Sequence, residues 1–383
     1  MQTQTRSALS LALLLGGLSA VGPLSLDMYL PGLPQLGADL TASTSATQLS
    51  LTACLAGLAL GQLVAGPLSD RMGRRTPVLL GSALFAAASL ACAIAPSIGV
   101  LIALRFLQGA GGAAGIVIGR AVVRDLYSGD ASARMFSSLM LVNGLAPILA
   151  PVWGAQILAF TSWKGVFVVL AVIGTLLLLA AAVALPESLA PGPREKADLR
   201  ALLRDRRFAA LTLCSGLMMA AMFGYIAGSP FVLQTIHGIS EQAFSLVFAL
   251  NGAGILAASY LSRRLIGRAR PAQLLRAGVA TGGAGAALIL ATVLLDWPVA
   301  PLLLGFFLLV SSIGLVGPNA TALALADHPR NAGSASALLG TSQFLLGAAA
   351  APLVGLAGEH TAVPMAATIA ALVALAAVCV WRA

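Results

Sequence analysis

The amino-acid sequence predicts an all-α membrane protein in which twelve transmembrane helices form two pseudo-symmetric six-helix halves. Three observations support this fold class. Of the 383 residues, 59% are hydrophobic and 9% are charged, whereas a soluble domain carries about 25% charged residues. Twelve apolar runs are each long enough to cross a bilayer, which takes about 20 residues. One long polar stretch divides these runs into two sets of six.

The twelve apolar runs follow one another with short polar loops between them. They cover roughly residues 7–26, 46–66, 77–95, 98–119, 135–158, 165–185, 208–233, 243–262, 274–295, 299–323, 332–354 and 362–381. The first run is followed by Asp27 and two prolines and not by a small-residue cleavage site. We therefore expect an uncleaved first span and not a signal peptide.

Basic residues concentrate on one side of this arrangement. If the segment before the first span is inside, all but two of the 22 lysines and arginines fall in inside segments. Lys164 lies outside, and Arg105 lies within a span. This is the positive-inside pattern, and it predicts that both termini are cytoplasmic. The net charge of +9 thus reflects topology and contact with anionic lipid, and it does not indicate a nucleic-acid partner.

Two related halves are predicted on either side of the long polar stretch. We expect an N-terminal half at 1–186, a cytoplasmic linker at 187–207 and a C-terminal half at 208–383. A-P-V-W-G at 150–154 is matched by A-P-L-V-G at 351–355, and Leu-Ser precedes a basic turn in both halves. Parallel six-span repeats are a known transporter plan, with the site between them near the bilayer midplane.

The loop between spans 2 and 3 carries the most specific motif, G-P-L-S-D-R-M-G-R-R-T-P at 66–77. Glycines suit a tight turn, and an acid is favoured near the start of the next helix. An ordinary basic hairpin is the alternative. The segment nevertheless resembles the signature of the major facilitator superfamily. The residues that fit are Gly66, Leu68, Ser69, Asp70, Arg71, Gly73, Arg74 and Arg75.

The resemblance implies that this loop is a conformational latch, closed in the outward-facing state and released as the cytoplasmic side opens. By the same resemblance, Asp70 is the latch acid. Arg124, after the fourth span, is a plausible partner for it, and Arg120 is the rival.

Arg105 lies about seven residues, or about 10 Å, inside the outer end of span 4. One reading is that its side chain reaches the outer interface. The other is a fixed positive charge that faces the transport cavity. The string R-x-x-Q-G, which includes Gln108, resembles a fourth-span motif of proton-coupled family members. The glycines beside it, Gly109, Gly111 and Gly112, indicate close helix packing.

Asp27 is an acid at membrane depth, which costs about 2.5 to 3.5 kcal/mol at a helix centre. An interfacial position at the end of the helix is the structural alternative. The string D-M-Y-L-P-G-L-P resembles the first-span signature of the Bcr/CflA drug-resistance branch. Our hypothesis is that Asp27 holds a proton when no substrate is present and loses it when substrate binds, with Arg105 at a similar depth. All clearly intramembrane charge lies in the first half.

Span 5 contains two prolines four residues apart, Pro147 and Pro151, which bend a helix. With Gly154 they resemble the family's antiporter motif, although alanines replace several of its glycines. A kinked packing helix is compatible with the same residues.

A lipophilic cargo needs a mostly apolar cavity with a few polar anchors. The candidate substrate contacts are polar or aromatic residues in or near spans, any of which could be a helix contact instead. They are Met28, Tyr29, Gln108, Asn143, Tyr225, Phe231, Asn251, Gln343 and Phe344.

Several classes of chemistry have no support in the sequence. There is no phosphate-binding loop, nucleophile elbow or dinucleotide fingerprint. The four cysteines lie inside apolar runs without C-x-x-C spacing, and the three histidines lie in predicted loops. We therefore expect no enzyme activity, no cofactor, no metal and no nucleotide.

The combined expectation is proton-coupled efflux of small lipophilic drugs or metabolites by alternating access. The resemblance implies a monomer in the bacterial inner membrane whose partners are protons, a small lipophilic molecule and the bilayer. One deep acid favours neutral or anionic substrates over dications. The alternative is a proton-coupled importer or facilitator of a small polar solute on the same fold. A membrane enzyme or channel subunit would require a polar cluster at one interface, which the sequence lacks.

Overall fold

A computed structural model describes residues 2–127, 129–189, 204–265, 268–326, 332–355 and 360–382. The predicted all-α class is confirmed, because every regular element among these residues is a helix. The α-helices, numbered in chain order, are α1 Gln2–Asp27, α2 Leu33–Asp39, α3 Thr44–Met72, α4 Arg75–Ala93, α5 Ile98–Leu126, α6 Gly129–Leu158, α7 Trp163–Ala184, α8 Arg206–Pro230, α9 Glu241–Leu265, α10 Pro271–Leu294, α11 Val299–Ala326, α12 Ala332–Ala350 and α13 Val363–Arg382.

The helices coincide with the twelve apolar runs. Among the described residues, eleven helical segments are long and apolar enough to cross a membrane, and the apolar part of α6, Leu145–Leu158, is shorter. Several helices continue past their apolar run, as α5 does to Leu126, because a helix can extend into the polar region beyond the bilayer core.

One short helix was not predicted. After α1 the chain forms a 3-10 turn at Leu30–Gly32 and then α2. Pro31 and Pro34 each stand at the start of one of these elements, where proline fits because the first backbone N–H groups of a helix have no intrahelical partner. The same prolines therefore end α1 just after Asp27 and start the next turn.

The chain divides into two compact units. Unit 1 comprises Met1–Ala42 and Ala53–Pro193, and unit 2 comprises Ser43–Thr52 and Arg194–Ala383. The assignment of the first turns of α3 to unit 2 was not expected from the sequence. Most of the predicted linker at 187–207 lies outside the described residues, so its bounds stay a prediction.

In unit 1, the glycine patch near Arg105 allows helices to approach closely. A Cβ atom at Gly109 would lie 2.2 Å from the carbonyl oxygen of Cys54 on α3, and one at Gly111 would lie 2.6 Å from the backbone nitrogen of Phe85 on α4. Any side chain there would separate the backbones, which agrees with the predicted packing role. Unit 2 uses the same device, since a Cβ atom at Gly314 on α11 would lie 2.3 Å from the carbonyl oxygen of Ile255 on α9.

Candidate functional site

Asp27 is the last residue of α1 and is only 5% exposed. No ion pair of this carboxyl group occurs among the described residues. An ionised carboxylate without a partner is very costly in a low-dielectric interior, so a carboxyl group in such a place readily binds a proton. Asp27 does end its helix, as the structural alternative expected, and its side chain is covered by protein. Proton exchange at Asp27 stays a prediction.

Arg105 on α5 is completely buried, so it does not reach the outer interface, and in this structure it does not face an open cavity either. Its guanidinium carbon lies 4.4 Å from the ring centroid of Tyr29 and 5.5 Å from that of Phe167. Its Nη1 donates a hydrogen bond to Oε1 of Gln108, and Nε2 of Gln108 donates to Oγ of Ser89 at 2.7 Å. The guanidinium charge of Arg105 is stabilised by the two aromatic faces and by the side-chain amide of Gln108, which the hydroxyl of Ser89 holds in place.

The structure thus brings Arg105 and Gln108 together with Tyr29, which is two residues after Asp27. No ion pair joins Arg105 to Asp27 within the described chain. Asp27 is linked to Arg105 through Tyr29, which lies in the short segment that follows α1. Tyr29 was predicted as a substrate contact, and its ring instead faces the guanidinium. Sequence reasoning missed Ser89 and Phe167, which are ordinary residues of apolar runs and carry no distinguishing spacing.

The antiporter motif contacts the same segment. Gly154 on α6 faces α1, and a Cβ atom there would lie 1.8 Å from the carbonyl oxygen of Met28. Pro151 lies about one turn and Pro147 about two turns earlier in the same helix. Only glycine permits this backbone approach, so the motif determines where the residue next to Asp27 can lie.

A second cluster of charged side chains lies where α3 turns into α4. Arg74, which is 1% exposed, donates from Nη1 to Asp70 Oδ1 at 2.7 Å and to Ser69 Oγ at 2.8 Å. Its Nε donates to Asp125 Oδ2 at 2.8 Å. Burial alone would lower the pKa of Arg74, but Asp125 and Asp70 raise it overall. The guanidinium therefore stays charged between two carboxylates.

This arrangement corrects the expected pairing of the latch. Among the described residues Asp70 forms an ion pair with Arg74, four residues away, and none with Arg124 or Arg120. Both of those arginines have exposed side chains on α5, and it is the neighbouring Asp125 that reaches the cluster. Adjacent residues on a helix point about 100° apart, so the sequence alone did not show which of the two faces the turn.

Glu187, in the segment after α7, accepts hydrogen bonds from the backbone at the start of α4. The N–H of Arg74 donates to Oε1 at 2.8 Å and that of Arg75 donates to Oε2 at 3.2 Å, while Leu189 N–H donates to Oε1 at 3.0 Å. Partial burial raises the pKa of Glu187, but these N–H donors and that of Ser188 together hold it below its ordinary value. Sequence reasoning missed this contact because Glu187 had been assigned to a linker.

Glycine is required at Gly73 and not at Gly66. Gly73 has φ +89°, and a Cβ atom there would lie 2.3 Å from Oε2 of Glu187. The prediction that Gly66 forms part of the turn is wrong, because this residue lies inside α3 and a Cβ atom there would meet nothing within 4 Å. Arg71 is exposed, and its role in the latch stays a prediction.

Most predicted substrate contacts are covered by their neighbours. Met28, Gln108 and Tyr29 are at most 1% exposed in unit 1. In unit 2, Nδ2 of Asn251 donates to the hydroxyl of Tyr225 at 2.8 Å, which ties α9 to α8. These residues act as internal contacts in this structure, so a role in substrate binding stays a prediction.

Three other candidates differ in position. Phe231 is buried at the start of a π-helical turn that continues α8. Gln343 and Phe344 on α12 are only partly buried, and Nε2 of Gln343 donates to Oγ of Ser215 at 2.8 Å. The side chain of Asn143 lies outside the described residues.

Comparisons with known proteins agree with this architecture. The sequence profile of the Major Facilitator Superfamily matches residues 15–352. YdgK of Bacillus subtilis, described as an MFS-type transporter, is 43% identical over 94% of this chain and 92% of its own length. The bicyclomycin resistance protein homolog of Haemophilus influenzae is 33% identical over 97% of this chain and 95% of its own.

A shorter match and two solved structures add to this. The multidrug resistance protein MdtL of Escherichia coli is 31% identical over 66% of each chain. The D-xylose-proton symporter superposes with a TM-score of 0.78 at 18% identity, covering 98% of this chain and 97% of its own. A bacterial homolog of the human lysosomal transporter Spinster gives 0.76 at 16% identity, covering 99% and 96%. The predicted fold is thereby confirmed. The chain therefore belongs to the Major Facilitator Superfamily of membrane transporters, as its resemblance to Bcr/CflA-type members indicated, and is not an enzyme.

Proposed function

We propose that this transporter exports small lipophilic drugs or metabolites from the cytoplasm in exchange for protons. The observation that carries the proposal is the buried carboxyl group of Asp27, which has no ionic partner in the described chain and lies beside the antiporter motif. The names of two relatives, a bicyclomycin resistance protein homolog and a multidrug resistance protein, support efflux as the direction.

In the proposed cycle Asp27 is protonated while the site holds no cargo. A substrate that reaches the end of α1 moves the segment from Met28 onward, and the carboxyl group then releases its proton. Arg105 stays charged throughout, because arginine is not deprotonated in proteins. Tyr29 couples the two groups, since its ring covers the guanidinium and its backbone follows Asp27 directly.

The charged cluster at the α3–α4 turn has a separate role in this proposal. Arg74 joins α3 to α5 through Asp70 and Asp125, and Glu187 joins the start of α4 to the segment after α7. All these residues belong to unit 1. We assign them the task of keeping those helix ends together as one body while access alternates. From the positive-inside pattern we expect this cluster on the cytoplasmic side, and we expect a monomer in the bacterial inner membrane.

Drug tolerance tests the direction of transport. Expression in a bacterium sensitised by loss of its own pumps should raise tolerance to some members of a lipophilic antibiotic panel, and an uncoupler should abolish the effect. Asp27→Asn should abolish it too, whereas Asp296→Asn, which removes an exposed loop carboxylate, should not. Increased sensitivity to the compounds, with net uptake, would instead support the importer alternative.

A further inference from the structure

Unit 2 contains a long apolar groove between α10 and α13. Its volume is about 680 Å³, and Arg276 is its only charged lining residue. Ligand pockets commonly measure about 300 to 1,000 Å³. We call it the α10–α13 groove, and its defining residues are Arg276, Ala280, Gly283, Ala370, Ala374 and Trp381.

The groove lies on the open face of α10. On the opposite face, a Cβ atom at Gly285 would lie 2.7 Å from the carbonyl oxygen of Gly305 on α11, whereas one at Gly283 would meet nothing within 4 Å. In a chain that spans the membrane, small residues at an unfilled position leave room for a hydrocarbon chain. From Arg276 to Leu290 the groove is about 21 Å long at about 1.5 Å per residue. Half of the bilayer's hydrocarbon core is about 15 Å, so the groove can hold the acyl chain of one leaflet.

An arginine lies at one end of the groove. Arg276 lies near the start of α10, and its guanidinium carbon is 5.8 Å from the ring centroid of Trp381, near the end of α13. No ion pair of Arg276 occurs in the described part of the chain. Five arginines and no aspartate or glutamate occur between residues 242 and 295. Tryptophan and arginine are typical of the membrane–water interface, and basic pockets between transmembrane helices bind anionic head groups.

We propose that the α10–α13 groove binds one acyl chain of an anionic phospholipid, with the lipid phosphate on the guanidinium of Arg276. A second copy of the chain fits less well. A two-fold contact between copies uses the same surface on both, and it would bring two like-charged Arg276 side chains together. The inference does not depend on the direction of transport or on the role of Asp27.

Lipid competition tests the head-group contact. Purified protein is incubated with mixed micelles of equimolar phosphatidylglycerol and phosphatidylcholine with identical acyl chains, and the retained lipid is quantified after gel filtration. Wild type should retain phosphatidylglycerol in preference. Arg276→Gln should reduce that preference about fivefold, the factor typical of one surface arginine. Arg268→Gln is the control, because it removes an equal, exposed charge before α10 that does not line the groove. Equal losses in both variants would overturn the proposal.

Filling the groove tests the acyl-chain contact. Gly283→Leu should lower the retention of both lipids, and Ala280→Leu provides a second variant if the first does not fold, as judged by circular dichroism and gel filtration. Excess inorganic phosphate should not displace the lipid. Displacement by phosphate would contradict the acyl-chain contact. Unchanged lipid together with a change from dimer to monomer in Gly283→Leu would identify a second copy as the occupant.

Discussion

Single residues show how this protein holds charge in an apolar environment. Arg74 is buried between two carboxylates, whereas Arg105 is buried against two aromatic rings and an amide. Removing one partner of a buried charge leaves the other uncompensated, and both arginines are therefore positions where a small change should have a large effect. The distant partners, Asp125 for Arg74 and Tyr29 and Phe167 for Arg105, could not be identified from sequence spacing alone.

Gly73→Ala should destabilise unit 1. The left-handed backbone costs about 1–2 kcal/mol for a residue with a side chain, and the added methyl group would also collide with Glu187. Thermal unfolding in detergent should show a clear decrease in the melting temperature. Gly66→Ala is the matched control in the same motif, because a Cβ atom there is unobstructed and alanine favours a helix. An equal decrease in both variants would contradict the assigned geometry.

The contact of Glu187 predicts a pH dependence. Its pKa is lower in the folded protein than its ordinary value, so the ionised form stabilises the fold and this contribution is complete above the ordinary glutamate pKa, about 4.3. Wild type should therefore melt at a higher temperature than Glu187→Gln at neutral pH. The difference should vanish as the pH falls below that value towards the lower folded pKa. A difference that is constant down to acidic pH would indicate a role other than the ionised carboxylate.

At the scale of helices, α1, α5 and α6 meet at the segment that follows Asp27. Gly154 on α6 contacts the backbone of Met28, and Arg105 on α5 contacts Tyr29. Two motifs that lie far apart in the sequence thus contact consecutive residues. An uncharged helix could in this way influence the proposed proton site.

Gly154→Ala should impair transport more than it impairs expression. The new methyl group would overlap the carbonyl oxygen of Met28, so the end of α1 must shift and Asp27 must move with it. Drug tolerance should fall at least tenfold towards that of cells without the protein, at similar amounts of protein in the membrane. Gly99→Ala on α5, where a Cβ atom meets nothing within 4 Å, should behave as wild type. Full tolerance in the Gly154 variant would show that this contact does not position the proton site.

The helices could be predicted because hydrophobic length is a local property of the sequence. The packing role of Gly109 and Gly111 could also be predicted, because small residues in transmembrane helices commonly allow close helix packing. The contacts of Arg74 with Asp125 and of Arg105 with Tyr29 could not be predicted, because they depend on which side of a helix faces which neighbour. Gly66 was misassigned because the turn was expected to begin at this residue. In the structure α3 continues to Met72 and the turn lies at Gly73.

For the molecule as a whole, buried charge is confined to one unit. Asp27, Arg74 and Arg105 are the buried charged residues of the described chain, and all three belong to unit 1. The buried polar side chains of unit 2 are uncharged, such as Asn251 and Asn319. Two units with similar helices thus differ in chemistry, as expected if the first carries the proton and the second contributes mainly apolar surface.

Substrate-driven proton release measures the proposed exchange most directly. Purified protein in weakly buffered detergent solution is mixed with a compound selected by the tolerance test, and the pH is recorded with a soluble indicator. Wild type and Asp296→Asn should release protons in proportion to the compound bound. Asp27→Asn should bind the compound and release none. Proton release from the Asp27 variant equal to that of wild type would contradict the assignment of this carboxyl group as the proton carrier.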